Sequence, residues 1–165
     1  MRSGLRLGLF LASSLLILPG LAGAQPTPWT AVGSSGSVAP SATSFPVHTL
    51  AGPFLSYGVV STDPITAYYN VTALAGPNPP WTQMEMNAVV SGPGAEVDAA
   101  LYRSQRCGTG MPEVVCKITA TGTGCLTCSL PAPLDFNNYE YYVMVNLLRT
   151  DSTAGWPSLR SLRIR

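Results

Sequence analysis

The chain has 165 residues, 46% of them hydrophobic and only 10% charged, with a formal net charge of +1. That balance leaves no basic field to condense on nucleic acid or on an anionic membrane, so partners held mainly by phosphate contacts are excluded.

The N-terminus has a three-part layout. Arg2 and Arg6 give a basic start, LGLFLASSLLIL (residues 7–18) is an uncharged apolar core, and PGLAGA follows with small residues at Ala22 and Ala24. This is the pattern of a secretory signal peptide cut after Ala24, and it predicts a secreted or periplasmic protein with residues 1–24 removed. The apolar run is shorter than the roughly 20 residues of a membrane span. No cysteine follows the small residues and the two arginines are separated, which argues against a lipid anchor and a twin-arginine signal. Removal of residues 1–24 leaves seven basic against eight acidic side chains, a net charge of −1. The remainder suits one domain, large enough to bury roughly two-thirds of its unfolded surface.

Residues 25–46, QPTPWTAVGSSGSVAPSATSFP, are rich in Pro, Gly, Ser, Thr and Ala without an apolar period, and read as an extended leader ahead of a domain at 47–165. Trp29 is the odd residue there, either docked or simply exposed. Beyond it short runs alternate apolar and polar residues between glycines and prolines. Strands are predicted at Val47–Leu50, Phe54–Val60, Ile65–Ala73, Gln83–Val90, Ala95–Arg103, Glu113–Ala120, Tyr139–Leu148 and Leu159–Arg165. Strands at this spacing predict an all-β protein, an antiparallel sandwich or barrel.

Gln83–Val90 and Ala95–Arg103 flank the four residues SGPG and read as a hairpin. In one register Met84, Met86, Ala88 and Val90 share a face with Ala95, Val97, Ala99 and Leu101, and a slip of one residue would destroy the match. The other face then collects Gln83, Glu85 and Asn87 with Glu96, Asp98 and Tyr102. In NNYEYYVMVNLLR, Tyr139, Tyr141, Val143, Val145 and Leu147 form one face and Glu140, Tyr142, Met144, Asn146 and Leu148 the other. Both are partly apolar, which predicts a central strand covered on each side. At the end, Leu162 and Ile164 point inward and Arg163 and Arg165 outward; with Arg160 these read as the solvated charges of an edge strand.

Cys107, Cys116, Cys125 and Cys128 are an even set in a chain predicted to be exported, which reads as two disulfides. Of three connectivities, the local closures Cys107–Cys116 and Cys125–Cys128 are favoured. A ten-residue loop is worth roughly 2.5 kcal/mol. A redox Cys-x-x-Cys needs a helix N-terminus behind it, and Pro131 and Pro133 prevent one. Zinc needs four converging ligands, usually in two pairs, and there is one pair.

No catalytic constellation is found. His48 is the only histidine and lies at the edge of the leader, and no serine sits in a nucleophile elbow. Glu96, Asp98 and Tyr102 on one strand, with Glu85 and Asn87 across the predicted hairpin, form a candidate face for gripping a sugar or a calcium ion; a solvated sheet face is the plainer reading. Asp135–Asn138 (DFNN) reads as a turn bonded to its own backbone rather than a calcium loop. Asn70-Val71-Thr72 is formally a glycan acceptor inside a predicted strand. Trp81 and Trp156, each beside a proline, read as lids over the sandwich ends, or as exposed rings for carbohydrate or protein.

The segments VDAALYRSQ, DFNNYEYYVMVNLLR and LRSLRIR resemble a group of secreted bacterial all-β proteins of uncharacterised function. The likeness covers roughly residues 84–165. It implies a jelly-roll-like sandwich and export, and brings no catalytic residues. The expectation is therefore a non-enzymatic secreted β-sandwich with no metal and no cofactor. It would act in binding or as a cell-surface component, with a glycan or a surface protein as partner. The alternatives are a carbohydrate- or calcium-binding module using the polar sheet face, and an extracytoplasmic thiol oxidoreductase.

Overall fold

The computed structural model describes residues 27–40, 48–73, 76–131 and 133–165, with residues 48–51 described as backbone only. The proposed signal peptide lies outside the described residues. Among the described residues eleven strands run in chain order: β1 Trp29–Val32, β2 Ser37–Val38, β3 His48–Ala51, β4 Phe54–Tyr57, β5 Ile65–Val71, β6 Gln83–Ser91, β7 Ala95–Gln105, β8 Glu113–Ala120, β9 Gly124–Ser129, β10 Tyr139–Arg149 and β11 Trp156–Ile164. The first sheet has the order β3-β4-β11-β6-β9, with β1 also beside β11; the second has the order β2-β5-β10-β7-β8. Every pairing is antiparallel. The strand spacing predicts an all-β sandwich or barrel and the resemblance implies its jelly-roll-like form; an antiparallel jelly-roll-like sandwich is what forms.

Alternation explains the burial strand by strand. Met84, Met86 and Ala88 of β6, Val97, Ala99 and Leu101 of β7, and Val143, Val145 and Leu147 of β10 are fully buried in one cluster between the sheets. Each buried Leu or Met side chain contributes about 1.5–3 kcal/mol.

The hairpin does not form. β6 pairs with β11 and β9, whereas β7 pairs with β10 and β8. The connection through Ser91–Gly94 is an arch that carries the chain from one sheet to the other. Its two glycines, Gly92 (φ 107°) and Gly94 (φ 70°), take the left-handed backbone that such a corner requires. An arch and a hairpin bury the same alternate residues, so the apolar pattern is satisfied by either.

The leader is a second correction. Trp29 is 5% exposed and β1 pairs residue for residue with Val32↔Ser161 through Trp29↔Ile164. The chain then crosses the open side of the sandwich through a 3₁₀ turn at Gly33–Ser35 and pairs β2 with β5. At the crossing, Tyr69 donates its hydroxyl hydrogen bond to the Gly33 carbonyl. A side chain on Gly33 would stand 2.8 Å from the Leu55 nitrogen and 2.9 Å from the Pro53 oxygen, so only glycine fits. Residues 27–38 thus belong to the sandwich.

β11 lies inside its sheet, flanked by β1 and β4 on one side and β6 on the other. Its arginines therefore project from the middle of a sheet face, not from an edge. β10 is central in its sheet as expected, but among the described residues only its inner face is covered. Tyr142, Met144, Asn146 and Leu148 remain half-buried on the outside.

The cysteines pair differently from the favoured connectivity. Cys116 of β8 is bonded to Cys128 of β9, while Cys107 and Cys125 are exposed free thiols. On a strand, residues three apart point to opposite faces, so Cys125 and Cys128 cannot close on each other once β9 forms. β9 was missed because its alternation is between half-buried and exposed positions. The bond that does form joins the edge strands of the two sheets.

Arg149 is a buried cation that pairs with no carboxylate among the described residues. Its guanidinium donates to the carbonyls of Gly155, Ser61, Ser152 and Ala154 at 2.7–3.1 Å, and lies 4.8 Å from the Trp156 ring centroid. Trp156, 39% exposed, caps that end of the sandwich, whereas Trp81 is fully buried.

Two outcomes follow. Trp29→Ala will lower unfolding free energy by about 3–5 kcal/mol, the range for truncating a large buried ring, measured by urea titration; an independent leader would show no change. Titration of the native chain with a thiol reagent will find two reactive cysteines, lost in the Cys107→Ser, Cys125→Ser double variant. Reduction of the remaining bond will cost about 3 kcal/mol.

Candidate functional site

The second sheet's outer face is built by β5, β10, β7 and β8. Because side chains alternate, Thr66, Tyr68 and Asn70 of β5 meet Glu140, Tyr142, Met144, Asn146 and Leu148 of β10, and beyond them Glu96, Asp98, Ala100 and Tyr102 of β7. Register does the rest. Tyr142 is the direct cross-strand partner of Tyr102, and their rings stack 5.2 Å apart with planes within 8°. Tyr68 approaches Tyr142 from the other side, with centroids 6.1 Å apart. Three tyrosines thus form a ridge across β5, β10 and β7. Tyr142 is enclosed between its neighbours, and Tyr68 is the most open at 41% exposure. Partial burial, together with the two flanking phenols, pushes the Tyr142 hydroxyl above its ordinary pKa, so it stays a neutral donor and acceptor.

One row of side chains away the surface is polar. Thr66 donates to the Asn146 side-chain oxygen at 2.7 Å, Thr119 donates to Asp98, and the Lys117 ammonium stands 2.9 Å from the other Asp98 oxygen. The hydrogen bond to Asp98 raises the Lys117 pKa. Glu96 ends the row. Burial first, then the Asp98 charge, lifts its carboxyl above the ordinary glutamate range. The face opens into a depression at each end. One of about 450 Å³ is lined by Asn70, Arg106, Phe136, Tyr139 and Glu140; the other, of about 350 Å³, by Glu96, Leu148, Thr121 and Pro93. Glu140 and Leu148 border the two depressions, eight residues apart on β10, so about 26 Å of surface separates them.

The five residues expected to form one polar face are divided. Glu96, Asp98 and Tyr102 lie together on this face. Glu85 and Asn87 lie on the outer face of the first sheet, because β6 and β7 belong to different sheets. Tyr68, Tyr142 and Asn146 were missed as site residues. Their alternation was visible; their adjacency depends on strand order.

The remaining candidates are placed as follows. His48 lies on β3, opposite Tyr57. Asp135 accepts from the backbone nitrogens of Asn137 and Asn138 and from the Asn138 amide, which lowers its pKa, so DFNN is a self-bonded turn as expected. Asn70 is exposed on β5. Among the described residues no three His, Cys, Asp or Glu side chains converge as a metal site. Glu96 and Asp98 stand side by side on one strand rather than across a cleft, so they do not flank a scissile bond in the way paired glycosidase carboxylates do.

No protein-family model matches the chain, and no curated protein matches its sequence. Solved structures do. The low-affinity xylan-binding module CBM86 from the gut symbiont Roseburia intestinalis is similar over 84% of this chain and 95% of its own, with 8% identity and a TM-score of 0.50. The xylan-binding module CBM15 is similar over the same shares, with 16% identity and a TM-score of 0.47. The module CBM36, solved with calcium and xylotriose, is similar over 83% of this chain and 99% of its own, with 12% identity and a TM-score of 0.41. At such identities the likeness is one of fold.

The raised Glu96 carboxyl has a stability consequence. A folded-state pKa above the unfolded one favours folding while the group is protonated, and that contribution is lost as pH rises through the folded value. Glu96→Gln will therefore raise the melting temperature at neutral pH, and the gain will vanish below the ordinary glutamate range, as followed by thermal melts across pH.

Proposed function

We propose that this protein is a non-catalytic carbohydrate-binding module, exported from its cell, that holds a neutral polysaccharide along the outer face of the second sheet. The observation that carries the reading is the tyrosine ridge on a sheet face that none of the described residues covers, with Asn146, Asp98 and Thr66 beside it and an open depression at either end. Sugar rings present apolar C–H faces and a rim of hydroxyls. Aromatic rings bury the first, while carboxamide, carboxylate and phenol groups bond the second. Asp98 is matched by Lys117 on the same face, which favours an uncharged chain. The fold likeness to xylan-binding modules makes xylan the first ligand to try; it supports the architecture, and the ridge supports the ligand class. The reading narrows the expected binding or cell-surface role, since a purely structural one would leave the ridge of Tyr68, Tyr142 and Tyr102 without a purpose.

The test is affinity electrophoresis of the chain in gels containing xylan, galactan or mixed-linkage glucan, followed by calorimetry on the retarding polymer. The wild type will be retarded by one of them. Tyr102→Ala combined with Tyr142→Ala will weaken binding by about 1–2 kcal/mol, a factor of roughly 5–30, with an unchanged circular dichroism spectrum. Equal retardation of the variant, or no retardation of the wild type in any neutral polymer, would sink the proposal.

A further inference from the structure

The opposite face of the sandwich has a different character. Its strands carry Glu85 as their one carboxylate, against Arg160 and Arg163 on β11 and Arg165 immediately after it. Leu159, Leu162 and Ile164 are buried, so the arginines point outward. Since β11 is flanked on both sides, they form a cationic stripe in the middle of the first sheet. Arg160 is held over the Phe54 ring, 5.1 Å from its centroid. Arg165 reaches Glu85 at 3.4 Å and Gln83 at 3.3 Å. Arg163 is different. Glu85 is its cross-strand partner, yet among the described residues none of the ion pairs includes Arg163, and its buried Nε finds no acceptor. It lines an open depression of about 500 Å³ together with Glu85, Ser161, Thr30 and Ser35.

We propose that this depression is a second binding site, specific for an acidic polysaccharide whose sugar residues carry a carboxylate next to hydroxyls. A guanidinium with its fork unspent is the side chain best matched to a carboxylate, which it can bond through two parallel N–H groups. Glu85, close beside it, accepts hydrogen bonds and repels anions. The two together select a ligand with an anionic acceptor and neutral donors a few ångströms apart, and a uronic acid residue has both. A phosphodiester chain has no donor for Glu85, and three arginines in a chain of formal net charge +1 are too few to hold nucleic acid by charge alone. The site lies on the far side of the sandwich from the tyrosine ridge, so the molecule could hold two polysaccharide strands at once, one neutral and one acidic. This inference does not depend on the ridge binding a glycan.

The experiment uses the full chain and polygalacturonate, with the carboxyl-reduced polymer as the neutral control, by affinity electrophoresis and calorimetry at low and raised salt. Polygalacturonate will retard the wild type, less so as salt rises, and the reduced polymer will not compete. Arg163→Gln will weaken this binding about tenfold or more, and Arg163→Lys, which keeps the charge but not the fork, will recover only part of it. Glu85→Gln, on a different strand, will weaken it as well, which guards against a folding defect in the arginine variants. Tyr142→Ala will leave it unchanged. The proposal falls if polygalacturonate does not bind or if Arg163→Lys restores full affinity. It also falls if Glu85→Gln strengthens binding, or if a DNA duplex or phosphatidylserine vesicles bind as tightly as the polyuronate.

Discussion

Alternate side chains of every long strand are committed to the space between two sheets, and everything else in the molecule is arranged around that commitment. Met84 and Met86 from one side, and Val97, Leu101, Val143 and Leu147 from the other, leave no inner position for chemistry. Polar and ligand-accessible groups are thereby confined to two outer faces, to the ends and to the edges. The ends are closed by packed groups: Trp81 is fully buried, and Arg149 is held under Trp156 by four carbonyls. One pair of edges is tied by Cys116–Cys128. The open side is crossed by the segment that contains Gly33. Two faces remain that none of the described residues covers.

Those faces differ because different strands occupy their centres. β10 brings Tyr142, Met144 and Asn146 to the outside of the second sheet, where β5 and β7 add Tyr68 and Tyr102; the result is aromatic and hydrogen-bonding, with Asp98 matched by Lys117. β11 brings arginines to the outside of the first sheet, where β6 supplies only Glu85 against them. A solvated face has no need of three adjacent phenol rings, and a guanidinium beside a carboxylate ordinarily pairs with it. Each departure from the plain pattern falls where a ligand could complete it, the usual place for local rules to give way in a folded protein.

The alternation of β6, β7, β10 and β11 in the sequence correctly told which residues face inward. Side-chain direction along a strand has a period of two whatever lies beside it. For the same reason the pattern in Gln83–Arg103 could not distinguish a hairpin from an arch, since both bury Met84, Met86, Val97 and Leu101. That ambiguity is why Glu85 and Asn87 were grouped with Glu96, Asp98 and Tyr102, and why Tyr68 and Tyr142 escaped notice as neighbours. β1 and β2 are too short to show a period, so residues 25–46 read as a leader in the sequence, and Trp29 is the one sign of docking there.

By itself the sequence determined the class of fold, the inward and outward sets of each long strand, the self-bonded DFNN turn and the poverty of net charge, because each depends on residues close together in the chain. Strand order, the Cys116–Cys128 pairing, the central position of β11 and the assembly of the tyrosine ridge were decided only in the tertiary structure. They depend on which strands lie next to one another, and that is settled by the packing of two whole sheets over a common core.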